Sequence, residues 1–376
     1  MTSDEGLLLD EVVKRVVELM AEKTQLYVAK NPTGLDDKIE NFEATVLAQQ
    51  HTGEVQVVGI VGLGGVGKTT LAIEFFNRKK SQYNKSYFLS DVRENAKISL
   101  LSLQSKLLQG LFGVHQQIDN IPQGTAMVRQ FLSSSKIFLI LDDIDHVNQV
   151  NALLADINVL HKDSLILITS RDEGVLVSSG VKESSMYRLT GLPKQHSQEL
   201  FCLYAFCQTY PHPGFGDLVN KVLKACDGLP LSLVVFGSLL SGNNDTSYWE
   251  AILRRLELPN EIKIKLKISY DELSHEERQI FLDIACFFIG KNKSSAITVW
   301  TGSRWEGSLG FKNLQLKCLA KVDDKDVIHM HDHLRDLGRE IAETEFPRRL
   351  WRPTGNINDW LHQQSSVSPQ PFKLLT

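Results

Sequence analysis

The sequence predicts a parallel α/β sheet followed by a helical bundle and a winged helix. Three observations predict it. A glycine-rich loop, Gly62-Leu63-Gly64-Gly65-Val66-Gly67-Lys68-Thr69, lies between a strand-like and a helix-like segment. Ile137–Leu141 and Leu165–Thr169 are continuous aliphatic runs, the pattern of strands buried on both faces of a parallel sheet. After Leu192-Pro193 the strand signal gives way to helical periodicity.

The glycine loop fits G-x-x-x-x-G-K-[ST] without a mismatch. Gln56–Val61 before it reads as a short buried strand, and Thr70–Phe76 after it reads as the opening of a helix. Glycines let the backbone curl until several N–H groups face phosphate oxygens. The helix N-terminus adds partial positive charge. Lys68 then serves the outer phosphates, the Thr69 hydroxyl serves as a ligand to Mg²⁺, and Thr70 continues the cradle. The loop therefore implies a bound nucleoside phosphate.

The elements follow in order. Leu9, Val12, Val13, Val16, Val17 and Met20 repeat at helical spacing, so Leu7–Met20 reads as an amphipathic helix. Asn31-Pro32-Thr33-Gly34 breaks the chain, and a second helix runs from Asp36 toward Gln49. Candidate strands are Val57–Val61, Ser86–Leu89, Ile137–Leu141, Leu165–Thr169 and Met186–Leu189, with helices between them. Helical periodicity then marks His196–Gln208, Gly216–Cys226, Pro230–Leu240 and Ser247–Leu256, with Pro259 as a boundary. Helices resume at Glu261–Tyr270 and Glu276–Phe288. A short hairpin on Asp323-Asp324-Lys325 and a helix His333–Glu343 complete the winged-helix pattern. The expected domains are residues 1–30, 31–190, 191–260, 261–350 and a tail 351–376.

Composition narrows the function classes. A chain of 376 residues has room for two or three domains. Its formal net charge of −4 gives no electrostatic reason to expect a nucleic-acid partner. Five scattered cysteines do not make a secreted disulfide framework, and the acidic start is not a signal peptide. The apolar runs Leu229–Leu240 and Phe281–Ile289 are too short to span a bilayer. These features point to a reducing compartment, the cytoplasm with the nucleus as an alternative.

Several residues carry candidate chemistry. Asp142 and Asp143 end the strand Ile137–Leu141, at the strand edge where open parallel sheets bind ligands. Asp142 is assigned to the metal and Asp143 to orienting an attacking water. Arg171, just after Leu165–Thr169, is placed to pair with a γ-phosphate; a plain surface arginine fits the same spacing. Gly228-Leu229-Pro230-Leu231 either simply starts a helix or lies against an adenine ring. The histidines of His329-Met330-His331-Asp332-His333 lack a recognised zinc spacing, and Asp332 reads as a helix N-cap. Cys202, Cys207 and His212 look like metal ligands only on paper, and Cys202 and Cys207, inside a helix beside Phe201, Leu203 and Phe206, read as core residues. Asn-Lys-x-Asp, the guanine-reading motif, does not occur, which favours adenine.

The order of motifs resembles the NB-ARC module of plant NLR immune receptors, a P-loop NTPase of the STAND type. The resemblance is carried by the phosphate loop, Phe88-Leu-Ser-Asp91-Val-Arg93-Glu94, Leu141-Asp142-Asp143-Ile-Asp145, Thr169-Ser-Arg171-Asp172, Gly228-Leu-Pro230-Leu, Phe281–Gly290 and Met330-His331-Asp332. It covers Asn31 to Pro353, and Asp145 with Phe281–Gly290 places the chain in the TIR-type branch. It implies a P-loop domain, a helical domain and a winged helix. It also implies an ADP-bound resting form, an ATP-bound active form and Mg²⁺ as cofactor. By position, Lys68 and Thr69 hold phosphate and metal, and Asp142 and Asp143 serve metal and water. Arg171 senses the phosphate, Pro230 packs on adenine, Thr33-Gly34 lies near adenine, and His331 reaches the β-phosphate of ADP.

The sequence also departs from the family pattern. No TIR domain precedes the module, so no NAD cleavage is expected, and Met1–Met20 resembles the linker helix that follows one. No leucine-rich repeats follow, and Ser170 stands where threonine is commoner. The expected function is an ADP/ATP switch in defence signalling, with slow hydrolysis at most. Its expected partners are the adenine nucleotide and other receptors of the family, by self-association or pairing. The alternatives are a turnover P-loop ATPase or kinase, and a short interaction module that pairs with full-length receptors.

Overall fold

The structure is a computed structural model that describes residues 25–47, 53–256 and 261–345. The expected helix Leu7–Met20, the Pro259 boundary and the tail lie outside them. The chain divides into two compact units. The first comprises the described residues up to Gly62 together with Gly67–Leu189. The second comprises Leu63–Val66 and the described residues from Thr190 on.

The first unit opens with α1 (Leu35–Leu47) and β1 (Gln56–Val61), then α2 (Lys68–Lys79) and β2 (Lys85–Leu89). It continues with α3 (Val92–Phe112), α4 (Ile121–Ser134), β3 (Ile137–Ile144), α5 (Val147–Leu154), β4 (Leu165–Ser170), α6 (Glu173–Ser178) and β5 (Met186–Arg188). The strands form one sheet in the order β2-β3-β4-β1-β5, and every pair is parallel. All five expected strands are present. β3 and β4 are buried along their whole length, as their unbroken aliphatic runs require.

Local chemistry sets the helix ends. Asn120 caps α4 by accepting from the Gln123 N–H, with proline in the first turn. His146 and Gln149 form a reciprocal cap at α5. α3 is broken at Ser99, whose backbone is extended. α1 is pinned to the sheet layer by Phe42, which meets Phe75 edge-on at 4.9 Å and Tyr187 at 5.1 Å.

In the second unit, α7 (Lys194–Phe206), α8 (Gly216–Cys226), α9 (Pro230–Leu240), α10 (Thr246–Leu256) and α11 (Ile262–Asp271) come first. Their core is aromatic: Trp249 is fully buried among Phe201, Phe206 and Phe215. α7 and α9 approach closely because residue 237 is glycine; a Cβ there would lie 2.8 Å from the Tyr204 Cβ and 2.9 Å from the Phe201 carbonyl oxygen.

The winged helix follows with α12 (His275–Asp283), α13 (Lys293–Gly302), α14 (Gly307–Leu316), β6 (Lys321–Val322), β7 (Ile328–His329) and α15 (Asp332–Glu345). β6 and β7 pair antiparallel, as the expected hairpin requires. The Asp323 carboxylate holds the turn by accepting from the Lys325 and Val327 N–H groups, both at 2.9 Å. The expected helix Glu276–Phe288 is α12 with a π-turn over Ile284–Phe288. Asp332 is not the N-cap of α15. It is the first helical residue, and the cap position falls to His331, whose carbonyl accepts from the Arg335 N–H at 2.9 Å and whose Nδ1 accepts from the His333 N–H at 3.2 Å. The Asp332 carboxylate pairs instead with Arg335, at 2.6 Å. That pair is the ordinary i, i+3 salt bridge along one helix face.

Candidate functional site

Because all strands run the same way, the loops after β1, β3 and β4 leave the sheet at one edge. β4 lies between the other two, so it bridges them. At the β1 loop, Gly67 holds a left-handed backbone, φ 104°, and brings no side chain to cap α2. First-turn N–H groups left uncapped are where anions bind. Lys68 begins α2 with its side chain buried, and its Nζ donates to the Gly62 carbonyl at 2.7 Å. That bond folds the lysine back over the loop it belongs to.

Thr69 connects the loop to β3. Its hydroxyl lies 3.0 Å from both carboxylate oxygens of Asp142. From β4, the Thr169 hydroxyl donates to Asp142 Oδ1 at 2.7 Å and accepts from the Asp143 N–H at 2.9 Å. Asp142 is buried, and burial is the main force raising its pKa to about 7; the nearby Asp91 and Asp143 carboxylates add to the rise, while the threonine hydroxyls oppose it. A buried carboxylate with a threonine hydroxyl on its oxygens offers hard-oxygen donors of the kind Mg²⁺ takes. The residues present fit that ion.

β3 does not stop at Leu141 as the aliphatic run suggests. It continues to Ile144 through an irregularity between Leu141 and Ile144. Asp143 sits within it at φ 56°, a conformation Asp tolerates better than most residues. The bulge re-aims the side chain. The Asp143 carboxylate lies between two arginines: Oδ2 is 2.8 Å from Arg93 Nε, and Oδ1 is 3.3 Å from Arg171 Nε.

The first unit thus brings together Lys68, Thr69, Asp142, Asp143 and Arg171 of the residues singled out from sequence. Thr70 follows within α2. Gly64, Gly65 and Val66 form the loop tip, where Gly65 has φ 78° and the Val66 N–H donates to the Leu63 carbonyl at 3.4 Å. Thr33 and Gly34 form the turn into α1, with Gly34 at φ 66°. Pro230 and His331 belong to the second unit, where Pro230 opens α9 and the His331 ring stacks on that of His333 at 5.9 Å. Sequence reasoning assigned no site role to Thr169 or Arg93. Both lie within the motifs, and what gives them a role is strand order, which spacing does not supply.

The NB-ARC domain model matches residues 37–210, and the Roq1-like winged-helix domain of a disease-resistance protein matches residues 274–345. The chain belongs to the NB-ARC family of plant disease-resistance proteins. Its homologues are of the TIR type, as Asp145 and Phe281–Gly290 suggest. Disease resistance protein RUN1 of Vitis rotundifolia is 34% identical over 87% of this chain and 25% of its own length. TMV resistance protein N of Nicotiana glutinosa is 32% identical over 91% of this chain and 30% of its own. The NB-ARC chain therefore spans about a quarter of the length of the curated relatives it matches. A solved signal-transduction ATPase from Pyrococcus horikoshii aligns over 86% of this chain and 44% of its own, at 18% identity and a TM-score of 0.49, too loose a likeness to argue from. NB-ARC modules bind nucleotide, and the P-loop geometry of this one is that of a nucleotide-binding site. Among the described residues, no helix is long and apolar enough to cross a membrane.

Proposed function

We propose that the chain is an ADP/ATP-binding switch of a plant immune receptor, resting with ADP and active with ATP. One observation carries the reading: Thr69 of the glycine loop and Thr169 of β4 converge on the buried Asp142. The loop N–H groups and Lys68 bind phosphate. Thr69 and Asp142 hold Mg²⁺, which when bound neutralises phosphate charge. Arg171 pairs with the outermost phosphate, and Asp143 orients a water. Asp143 is already engaged by two guanidinium groups, and on this reading hydrolysis is slow at most. Thr33, Gly34 and Pro230 serve adenine, and His331 reports on the β-phosphate. A ligand that distinguishes two conformations shifts their balance by its difference in affinity.

The proposed setting is the cytoplasm or nucleus, with self-association or pairing with other receptors as the output. Denaturing the purified chain and identifying the released nucleotide tests the reading. An adenine nucleotide supports it, and a preparation that neither carries nor binds one sinks it. Steady-state hydrolysis above about 1 s⁻¹ would instead favour a turnover ATPase.

A further inference from the structure

We propose that Arg93 is a positioning residue that shares the charge of Asp143 and thereby leaves Arg171 available to the outermost phosphate. The inference rests on the reading of this site as a nucleotide switch. β2 pairs with β3 in register, Leu89 opposite Leu141, so the residues that follow Leu89 and Leu141 emerge side by side. Arg93 stands in the first turn of α3, just after β2, and the fully buried Val92 beside it anchors that turn. Its Nε contacts Asp143 Oδ2 at 2.8 Å, while Arg171 Nε contacts Oδ1 at 3.3 Å. The three side chains are only 13%, 10% and 26% exposed, so solvent screens the charges weakly.

Asp143 does not follow its partners freely. Its N–H is tied to Thr169, and its backbone is held in the left-handed region. One fixed carboxylate thus attracts both guanidinium groups. The Arg93 contact is the shorter of the two. Without Arg93, more of the carboxylate's charge falls on Arg171. Arg171 is then drawn toward Asp143 and away from phosphate. Arg93 therefore tunes the preference between a triphosphate and a diphosphate without touching either.

Calorimetric binding of MgATP and MgADP to the 376-residue chain and its variants tests this. Arg93→Gln is expected to weaken ATP by about 5- to 20-fold while ADP stays within about twofold. In an Arg171→Gln background the same change is expected to have no further effect on the ratio. Arg93→Lys keeps the charge without the fork, and is expected to fall between wild type and Arg93→Gln. An ATP-to-ADP ratio unchanged by Arg93→Gln, or an effect that adds in full to that of Arg171→Gln, overturns the proposal. If Arg93→Gln does not melt cooperatively, Arg93→Lys decides alone: a reduced ratio supports the proposal and an unchanged one overturns it. Wild type that binds neither nucleotide, or an Arg171→Gln variant with an unchanged ratio, defeats the switch reading itself, and this inference falls with it.

Discussion

The Thr169 hydroxyl donates to the Asp142 carboxylate at 2.7 Å, from the strand that separates the glycine-loop strand from the aspartate strand. The same oxygen accepts from the Asp143 N–H. One buried hydroxyl therefore sets the position of two neighbouring aspartates.

Thr169→Val keeps the shape and removes the hydroxyl. It leaves the Asp143 N–H and one Asp142 oxygen without that partner, in a fully buried place. The expected loss is about 1–3 kcal/mol, read as a lower midpoint in urea unfolding at unchanged slope. An unchanged midpoint would mean that the hydroxyl carries no such role.

In the winged helix, Asp283 accepts from Trp300 Nε1 at 3.1 Å, and burial raises its pKa from 3.8 to about 7. The folded chain binds this proton more tightly than the unfolded chain does. The associated stability is complete below the ordinary carboxylate pKa and is lost as pH rises through about 7. Asp283→Asn keeps an acceptor for Trp300 but cannot ionise. Relative to wild type it is expected to gain stability as pH climbs through that window, measured by denaturant unfolding at several pH values. Parallel curves for the two chains would count against the shift.

Trp249→Ala empties the largest site in the helical core, where the indole Nε1 also donates to the Asn243 carbonyl at 2.9 Å. The expected destabilisation is about 3–5 kcal/mol, with Trp249→Phe milder. Chemical unfolding followed by circular dichroism measures both.

His331→Ala tests the role that the family resemblance gives to the winged helix. Losing a hydrogen bond to a charged phosphate is expected to speed ADP release by about tenfold or more, measured with a fluorescent ADP analogue. A release rate equal to that of wild type argues against His331 as a reporter of the diphosphate.

The sequence was most informative where burial alone decides structure. The runs Ile137–Leu141 and Leu165–Thr169 had to be interior parallel strands, since every side chain in them is apolar or small and no face is left for water. The phosphate loop was equally legible, because its glycines, lysine and threonine answer to one local geometry. What spacing could not supply was strand order. That β4 lies between β1 and β3 is a long-range outcome, and it alone brings Thr169 to Asp142. Arg93 and Asp143 stand 50 residues apart, and only the β2–β3 pairing joins them. The extension of β3 past Leu141 was missed for another reason: two charged residues look like the end of a buried strand, and a bulge that turns their side chains toward hydroxyl and guanidinium groups leaves no periodic signature. Residue type makes Asp332 the better cap of α15, but the helix begins one residue earlier than that reading needs, and the Asp332 carboxylate pairs with Arg335 instead.

The doubled aspartate of β3 reads as one letter repeated, yet the two positions answer to different rules. Asp142 is gripped by hydroxyls in a buried place, and a carboxylate one methylene longer would have to displace Thr169. Asp143 occupies a backbone region that few side chains accept, and it lies between guanidinium groups. A mutation that is mild at one position gives no guide to its severity at the other. Variants of this gene that change either aspartate should therefore be judged separately, not as two examples of one motif.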